Sequence, residues 1–228
     1  NTKIYENSTV SSYELSNSHV KVNTKSGSVK AERVVLACNG YLGNLEKRLN
    51  SKILPMNNYI VATKPLDNET VAKINPRDIA FADSRFVINY FRLSADKRLL
   101  FGGGENYSQE LSNNVIPIVT KPLEKIYPFL KGVKIDYAWG GKLAITMNRL
   151  PFYKEMNKGK VLSAQGYSGQ GVALASYAGK VIAEKITGDG EIFDTMANIP
   201  MQSFPGGGFL RNPTMKVGMF YHALLDRL

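Results

Sequence analysis

The chain has 228 residues, enough for one large domain or two small ones, and a formal net charge of +10. Its 29 lysines and arginines are scattered, which argues against nucleic-acid binding and favours a lysine-rich solvated surface. No apolar run approaches the roughly 20 residues that span a bilayer. The two histidines, His19 and His222, and the single cysteine, Cys38, lie far apart in the sequence, which argues against a His/Cys metal cluster. A single cysteine also excludes an internal disulfide. We expect a metal-free cytoplasmic protein whose opening at Asn1 reads like the middle of a longer chain.

The N-terminal part predicts strands followed by a short helix. Alternating side chains predict strands at Val10–Leu15 and His19–Asn23, and Lys25-Ser26-Gly27 predicts the turn of a hairpin. The apolar run Val34–Cys38 leads into small residues, which is typical of a buried parallel strand. The charges and spacing of Tyr41–Leu49 predict a short helix.

The middle of the chain predicts a β-rich region with one good helix. The helix is Val115–Tyr127, closed by Pro128. The predicted strands are Tyr59–Thr63, Phe86–Arg92, Arg98–Phe101, Ile135–Trp139 and Lys142–Thr146.

A glycine-rich turn between a strand and a helix is the most informative local feature. The strand is Val161–Gln165, the turn is Gly166-Tyr167-Ser168-Gly169-Gln170-Gly171, and the helix runs from Val172 to Ile186 before Thr187-Gly188 ends it. A tail follows, with an amphipathic piece at Met215–Leu228.

This turn could bind an anion or an electron-rich carbonyl. Glycines let a ligand approach the main chain, and the first N–H groups of the helix point outward without internal partners. The pattern is not the Gly-x-Gly-x-x-Gly dinucleotide fingerprint, because its glycines stand in a different order. A plain βα turn without a ligand fits the same residues.

Three segments together resemble the FAD-dependent D-amino-acid, glycine and sarcosine oxidase (DAO) superfamily. They are Val34–Gly40, the stretch from Trp139-Gly140-Gly141 through Thr146 to Pro151, and Gly166–Gly188. Three others are similar to the gamma-glutamylputrescine oxidoreductase branch of that superfamily: Tyr90–Ser94, Leu100–Gly104 and Phe204–Gly207.

The resemblance implies an α/β fold of mixed type (α+β). It implies a partial FAD-binding domain of the glutathione-reductase-like type and a substrate domain built on an antiparallel sheet. The flavin domain would comprise residues 1–50 and 136–188, the substrate domain residues 51–135 and the tail residues 189–228. The family's N-terminal βαβ unit with its pyrophosphate fingerprint is not in this chain, so the missing N-terminal half is an expected partner.

The resemblance also implies the residues that would bind FAD. Val10 would line the adenine site, and the flavin ring would lie near Gly141 and the glycine-rich turn. The full predicted set is Val10, Ala37, Cys38, Asn39, Gly40, Gly141, Gly166, Tyr167, Ser168, Gly169, Gln170 and Gly171.

On the substrate side we expect Tyr59, Tyr90, Arg92 and Arg149 to act, although Tyr90 could equally be a core residue and the arginines could form ion pairs. Two departures from the family pattern concern the substrate. Leu143 stands where the glycine-oxidase branch has a carboxylate-binding arginine, and Asn148 stands where an aspartate is frequent. Both favour an amine or N-substituted substrate over a free α-amino acid.

The implied reaction transfers a hydride from the carbon beside an amine nitrogen to flavin N5, with molecular oxygen or an electron-transfer partner as reoxidant. Two alternatives stay open. One is a non-catalytic binding domain without flavin; the other is a nicotinamide-linked dehydrogenase, which the missing NAD fingerprint disfavours. The oligomeric state is open.

Overall fold

A computed structural model describes residues 2–85, 88–103, 110–205, 213, 217 and 218. The described residues fall into two compact units. One lies within Asn1–Pro55 and Leu143–Arg211, and the other within Met56–Lys142 and Asn212–Leu228. The predicted boundaries, after residues 50 and 135, lie a few residues before these. The assignment of flavin and substrate roles to the units stays a prediction.

The strands account for most of the regular structure. They are β1 (Val10–Leu15), β2 (Val20–Thr24), β3 (Ser28–Ala31), β4 (Val34–Leu36), β5 (Leu54–Thr63), β6 (Phe81–Ala82), β7 (Tyr90–Leu93), β8 (Leu99–Gly102), β9 (Ile135–Ile145), β10 (Phe152–Met156) and β11 (Val161–Gln165).

The helices are α1 (Lys47–Asn50), α2 (Asn68–Ile74), α3 (Ile116–Ile126), α4 (Gly171–Thr187) and α5 (Glu191–Ala197), with 3₁₀ turns at Asn39–Tyr41 and Pro128–Leu130. No helix in the described part of the chain is long and apolar enough to span a membrane.

The first unit contains two three-stranded sheets. β1, β2 and β3 form an antiparallel meander, and the predicted turn before Ser28 joins β2 to β3. The other sheet has the order β10-β11-β4, in which β11 pairs antiparallel with β10 and parallel with β4. Helices α4 and α5 cover one face of this sheet through a core that includes Leu162, Ala178 and Phe193. The predicted parallel strand is therefore confirmed, but the prediction that it is buried is wrong, because Val35 is exposed at the edge of the sheet.

The second unit is built on a five-stranded sheet with the order β6-β7-β8-β5-β9. β6 with β7, β7 with β8, and β8 with β5 all pair antiparallel, as predicted for this region. Val119 and Leu123, one turn apart on α3, are fully buried against Val61 and Phe101 of the sheet. α3 therefore covers one face of the sheet.

Several predicted elements differ from the structure. The predicted helix Tyr41–Leu49 is wrong: Gly43 adopts a φ of +54°, and only Lys47–Asn50 is helical, after the side chain of Glu46 caps it. The strands predicted as Ile135–Trp139 and Lys142–Thr146 form the single strand β9.

Two further predictions reach beyond the described residues. The strand predicted to begin at Phe86 is described only from Tyr90, because residues 86 and 87 lie outside the described ranges. Most of the amphipathic piece 215–228 lies outside them as well.

Candidate functional site

The carboxyl ends of the two parallel strands form the centre of the candidate site. Val161, Leu162 and Ser163 of β11 lie beside residues 34–36 of β4, so the segments that follow both strands emerge at one edge of the sheet. The Asn39 side-chain Oδ1 accepts a hydrogen bond of 3.1 Å from the Gly166 amide. The predicted groups 37–40 and 166–171 are thus brought together at a strand-end position that open α/β sheets use for ligands.

The glycine-rich turn is fixed from beneath by the turn that joins β9 to β10. The Ser168 amide donates to the Ala144 carbonyl at 2.9 Å. The Ser168 hydroxyl lies 3.3 Å from both the amide and the hydroxyl of Thr146, and Thr146 Oγ1 donates to the Leu150 carbonyl at 2.8 Å. Thr146 therefore orients the turn, a role that the sequence did not indicate.

Gly166 and Gly169 of this turn are glycines for different physical reasons. Gly166 has a φ of +78°, and a Cβ there would lie 2.5 Å from the Thr146 Cγ2 methyl, so packing alone requires glycine. Gly169 has a φ of +96°, yet a Cβ there would contact nothing within 4 Å. Gly169 is therefore the position where the main chain is open to an approaching ligand.

A groove of about 550 Å³ runs beside this turn, between β4 and α4. Small residues at four-residue intervals line one wall, and an exposed valine lines the other. They are Gly171, Ala175, Gly179 and Ala183 on α4 and Val35 on β4. Val172, in the first turn of α4, is 99% exposed. An apolar surface of this kind calls for a covering element.

The polar groups around the turn are mostly neutral. Burial raises the pKa of Tyr167 to about 12, and its hydroxyl donates to the Ala164 carbonyl at 2.9 Å. Burial also raises the pKa of the Cys38 thiol, which disfavours a reactive thiolate. Gln165 is fully buried, and its amide has no hydrogen-bond partner within the described residues, so a partner from outside them would relieve a desolvation cost.

The predicted substrate residues of the second unit lie on two different faces of its sheet. Tyr59 is 1% exposed and belongs to the core beneath α3, where its hydroxyl accepts a hydrogen bond of 2.9 Å from the Ser112 amide. Tyr90 and Arg92 alternate with core residues of β7, so they lie on the face away from α3. Tyr59 therefore does not join Tyr90.

The other predicted residues are more scattered. Val10 begins β1 in the separate meander sheet, and Gly141 is half-buried in β9. Arg149 lies in the first unit, in the β9–β10 turn, with a φ of +63°. Within the described ranges, no group of three or more His, Cys, Asp or Glu side chains is placed to hold a metal ion.

The residues at the strand ends fit a flavin cofactor chemically. The first amides of α4 and the open main chain at Gly169 offer hydrogen bonds to carbonyl and ring nitrogen atoms. The groove provides an apolar flank. Neutral donors suit a flavin ring, because negative charge develops on the ring when it is reduced.

The chain matches known proteins along its whole length. It is 38% identical over 227 residues to gamma-glutamylputrescine oxidoreductase of Escherichia coli, covering 99% of this chain and 53% of that protein. It is 39% identical over 224 residues to a probable oxidoreductase, OrdL, of Rhizobium meliloti, covering 98% and 52%. The chain thus spans about half the length of these relatives.

Solved structures show the same fold. Glycine oxidase from Bacillus cereus superposes with a TM-score of 0.65 at 19% identity, covering 87% of this chain and 55% of that one. L-Proline dehydrogenase from P. horikoshii gives 0.60 at 22% identity, covering 85% and 51%. The family model described as FAD dependent oxidoreductase (DAO) matches residues 1–185. The chain therefore belongs to the DAO family of FAD-dependent oxidoreductases.

Proposed function

We propose that this chain supplies one wall of the FAD site and the substrate-facing sheet of an enzyme that oxidises a C–N bond of an amine or N-substituted amino acid. The observation that carries the proposal is the junction of Asn39 with the glycine-rich turn, at the ends of two parallel strands, in a chain of the DAO family. The activity is proposed for the whole protein, because this chain spans only about half the length of the relatives that it matches.

In this proposal the residues around the turn hold the cofactor. Asn39 and Gly40 would lie beside its ribose and pyrophosphate part, and Gly169 to Gly171 would approach the ring system. The first amides of α4 would donate to the pyrimidine carbonyl, where the helix dipole adds a positive potential. Bound there, FAD supplies the hydride-accepting chemistry, and the oxidised imine product then hydrolyses in water.

Two positions in the first unit support the proposed substrate class. Leu143 offers no charge to an α-carboxylate. Asn148 uses its Oδ1 to accept a hydrogen bond of 3.1 Å from the Leu150 amide, so it serves the turn. A substrate without an obligatory α-carboxylate at the reacting end fits these residues, in agreement with the name of the Escherichia coli relative.

The test of this function uses protein expressed from the intact gene and followed anaerobically by its visible spectrum. We expect gamma-glutamylputrescine to bleach the flavin absorbance faster than glycine or D-alanine does. As a matched pair, Leu143→Arg should shift the preference toward the α-amino acids, whereas Leu143→Met should not. Faster bleaching by glycine in the wild type would contradict the proposed substrate class.

We further propose that the remaining half of the protein covers the groove between β4 and α4. Within the described ranges, β4 pairs only with β11, so its other edge is free for a strand, and the small residues of α4 allow a helix to approach closely. Val35 and Val172 would be buried by this contact.

Substitutions at Gly179 test this cover. A Cβ at Gly179 meets nothing within 4 Å, so Gly179→Leu should leave this chain's own packing intact. In the full-length protein it should reduce the bound FAD, because the leucine obstructs the groove. Lys180→Leu, at an exposed position on the side of α4 away from the groove, is the control. Equal FAD contents in the two variants would show that nothing docks there.

A further inference from the structure

Gly102 allows the ring of Tyr90 to lie flat across the five-stranded sheet. Tyr90 of β7 and Gly102 of β8 are direct cross-strand partners. A Cβ on Gly102 would lie 2.1 Å from Cζ and 2.5 Å from the hydroxyl oxygen of Tyr90, closer than real atoms approach. The ring therefore occupies the volume that any other residue at position 102 would fill, and glycine there fixes where the hydroxyl lies.

Asn58 fixes the direction of that hydroxyl. The Tyr90 O–H donates to the side-chain Oδ1 of Asn58 at 2.6 Å. Asn58 lies two residues before Ile60, the β5 partner of Gly102, so all of these residues share one face of the sheet. Because the only proton of the hydroxyl is committed to Asn58, the phenol oxygen can offer a ligand its lone pairs and no donor.

The protonation state of Tyr90 supports this arrangement. Burial raises the pKa of its hydroxyl, so the group remains neutral near pH 7. The face that carries it is opposite the one covered by α3, where Tyr59 and Phe101 lie. Arg92, two residues along the same strand, is exposed on the face of Tyr90. This face thus combines a neutral acceptor with a cation nearby.

We propose that Gly102 and Asn58 are positioning residues that present the Tyr90 oxygen as a hydrogen-bond acceptor to an N–H group of the substrate. This inference rests on the proposed oxidation of an amine and names the contact that selects the nitrogen. A ligand lacking an N–H donor would leave the acceptor unsatisfied, which is the basis of the discrimination.

The test measures amine oxidation and amine binding with the full-length holoenzyme. Tyr90→Ala, Gly102→Ala and Asn58→Leu should each raise KM about tenfold, the effect of one hydrogen bond to substrate, with a smaller change in kcat. Asn58→Asp keeps an oxygen acceptor for the hydroxyl and is the matched variant, expected to retain more of the affinity than Asn58→Leu. Bound FAD per chain, measured first, identifies variants that fail to fold.

The double variants separate positioning from general damage. In the Tyr90→Ala background, Gly102→Ala and Asn58→Leu should have no further effect on KM, because the group that they position is gone. Additive losses would overturn the inference, as would single variants with an unchanged KM. Calorimetric binding of the amine to the pre-reduced enzyme should show the same order of affinities.

These measurements also separate the proposed amine oxidation from the proposed role of Tyr90, Asn58 and Gly102. A wild-type flavin that no amine reduces would refute the proposed function. A wild-type enzyme that oxidises amines while the three variants behave like it would refute only the role of Tyr90, Asn58 and Gly102.

Discussion

Replacing Gly166 by alanine should destabilise the first unit more than any other alanine in the glycine-rich turn. Two costs combine there. A φ of +78° is unfavourable for a residue with a Cβ, at about 1–2 kcal/mol, and the new methyl would lie 2.5 Å from Thr146 Cγ2, which adds about 1–3 kcal/mol of overpacking. The expected loss in the free energy of unfolding is therefore about 2–5 kcal/mol.

Gly169→Ala is the matched control. Its φ of +96° carries the conformational cost, but a Cβ there meets nothing within 4 Å, so the expected loss is only about 1–2 kcal/mol. The reduced freedom of the unfolded chain is the same for both substitutions and cancels in the comparison. Urea unfolding of the purified protein without added FAD measures both values.

Thr146→Ser supplies the decisive comparison, because it removes the Cγ2 methyl and keeps the hydroxyl that binds Ser168 and the Leu150 carbonyl. In a double-mutant cycle it should recover about 1 kcal/mol or more of the Gly166→Ala loss and none of the Gly169→Ala loss. Equal losses at the two glycines, or the absence of coupling between positions 146 and 166, would refute the packing argument.

Three other predictions concern single side chains. The hydrogen bonds from Arg48 hold the pKa of Glu46 at about 2. The carboxylate should therefore contribute about 2–3 kcal/mol to the free energy of unfolding above pH 5, and this contribution should be lost as the pH falls toward 2. Glu46→Gln should remove that part of the pH dependence of urea unfolding. Asn39→Ala should cost about 1–2 kcal/mol, since it loses a hydrogen bond and strains a φ of +47°, whereas Asn39→Gly should cost less in the same assay. Tyr59→Phe removes the hydroxyl that accepts the hydrogen bond of the Ser112 amide, so it should lower the free energy of unfolding by about 1–3 kcal/mol and leave KM unchanged. A raised KM would indicate that Tyr59 contacts the substrate.

The local signals around α4 explain why this region could be predicted. β11 is buried at all five positions, including the polar Ser163 and Gln165, and Gly188 ends the helix with a φ of +114°. Burial on both faces and a glycine C-cap are properties of short sequence stretches. Strand, turn and helix were therefore predicted within one residue of the observed bounds.

Long-range packing explains what the sequence missed. Gly140 and Gly141 predicted an interruption, yet β9 continues through them. A Cβ at Gly140 would lie 2.6 Å from the Tyr59 ring, so glycine there serves close packing and does not mark the end of a strand. Tyr59 is a core residue because it lies on the face of β5 that packs beneath α3. No local sequence pattern reveals which face of the strand that is. The bond between Asn39 and Gly166 joins residues 127 positions apart.

The measurement that tests the central claim most directly is the FAD content of the protein expressed from its intact gene. We predict that FAD remains bound, in proportion to the protein, after gel filtration, with the absorbance bands of a flavoprotein. Gly169→Leu, which fills the open main-chain position, should reduce that content, while Gly27→Leu in the β2–β3 turn, where a Cβ also meets nothing within 4 Å, should not. A protein that retains no FAD even when FAD is supplied throughout purification would contradict the account.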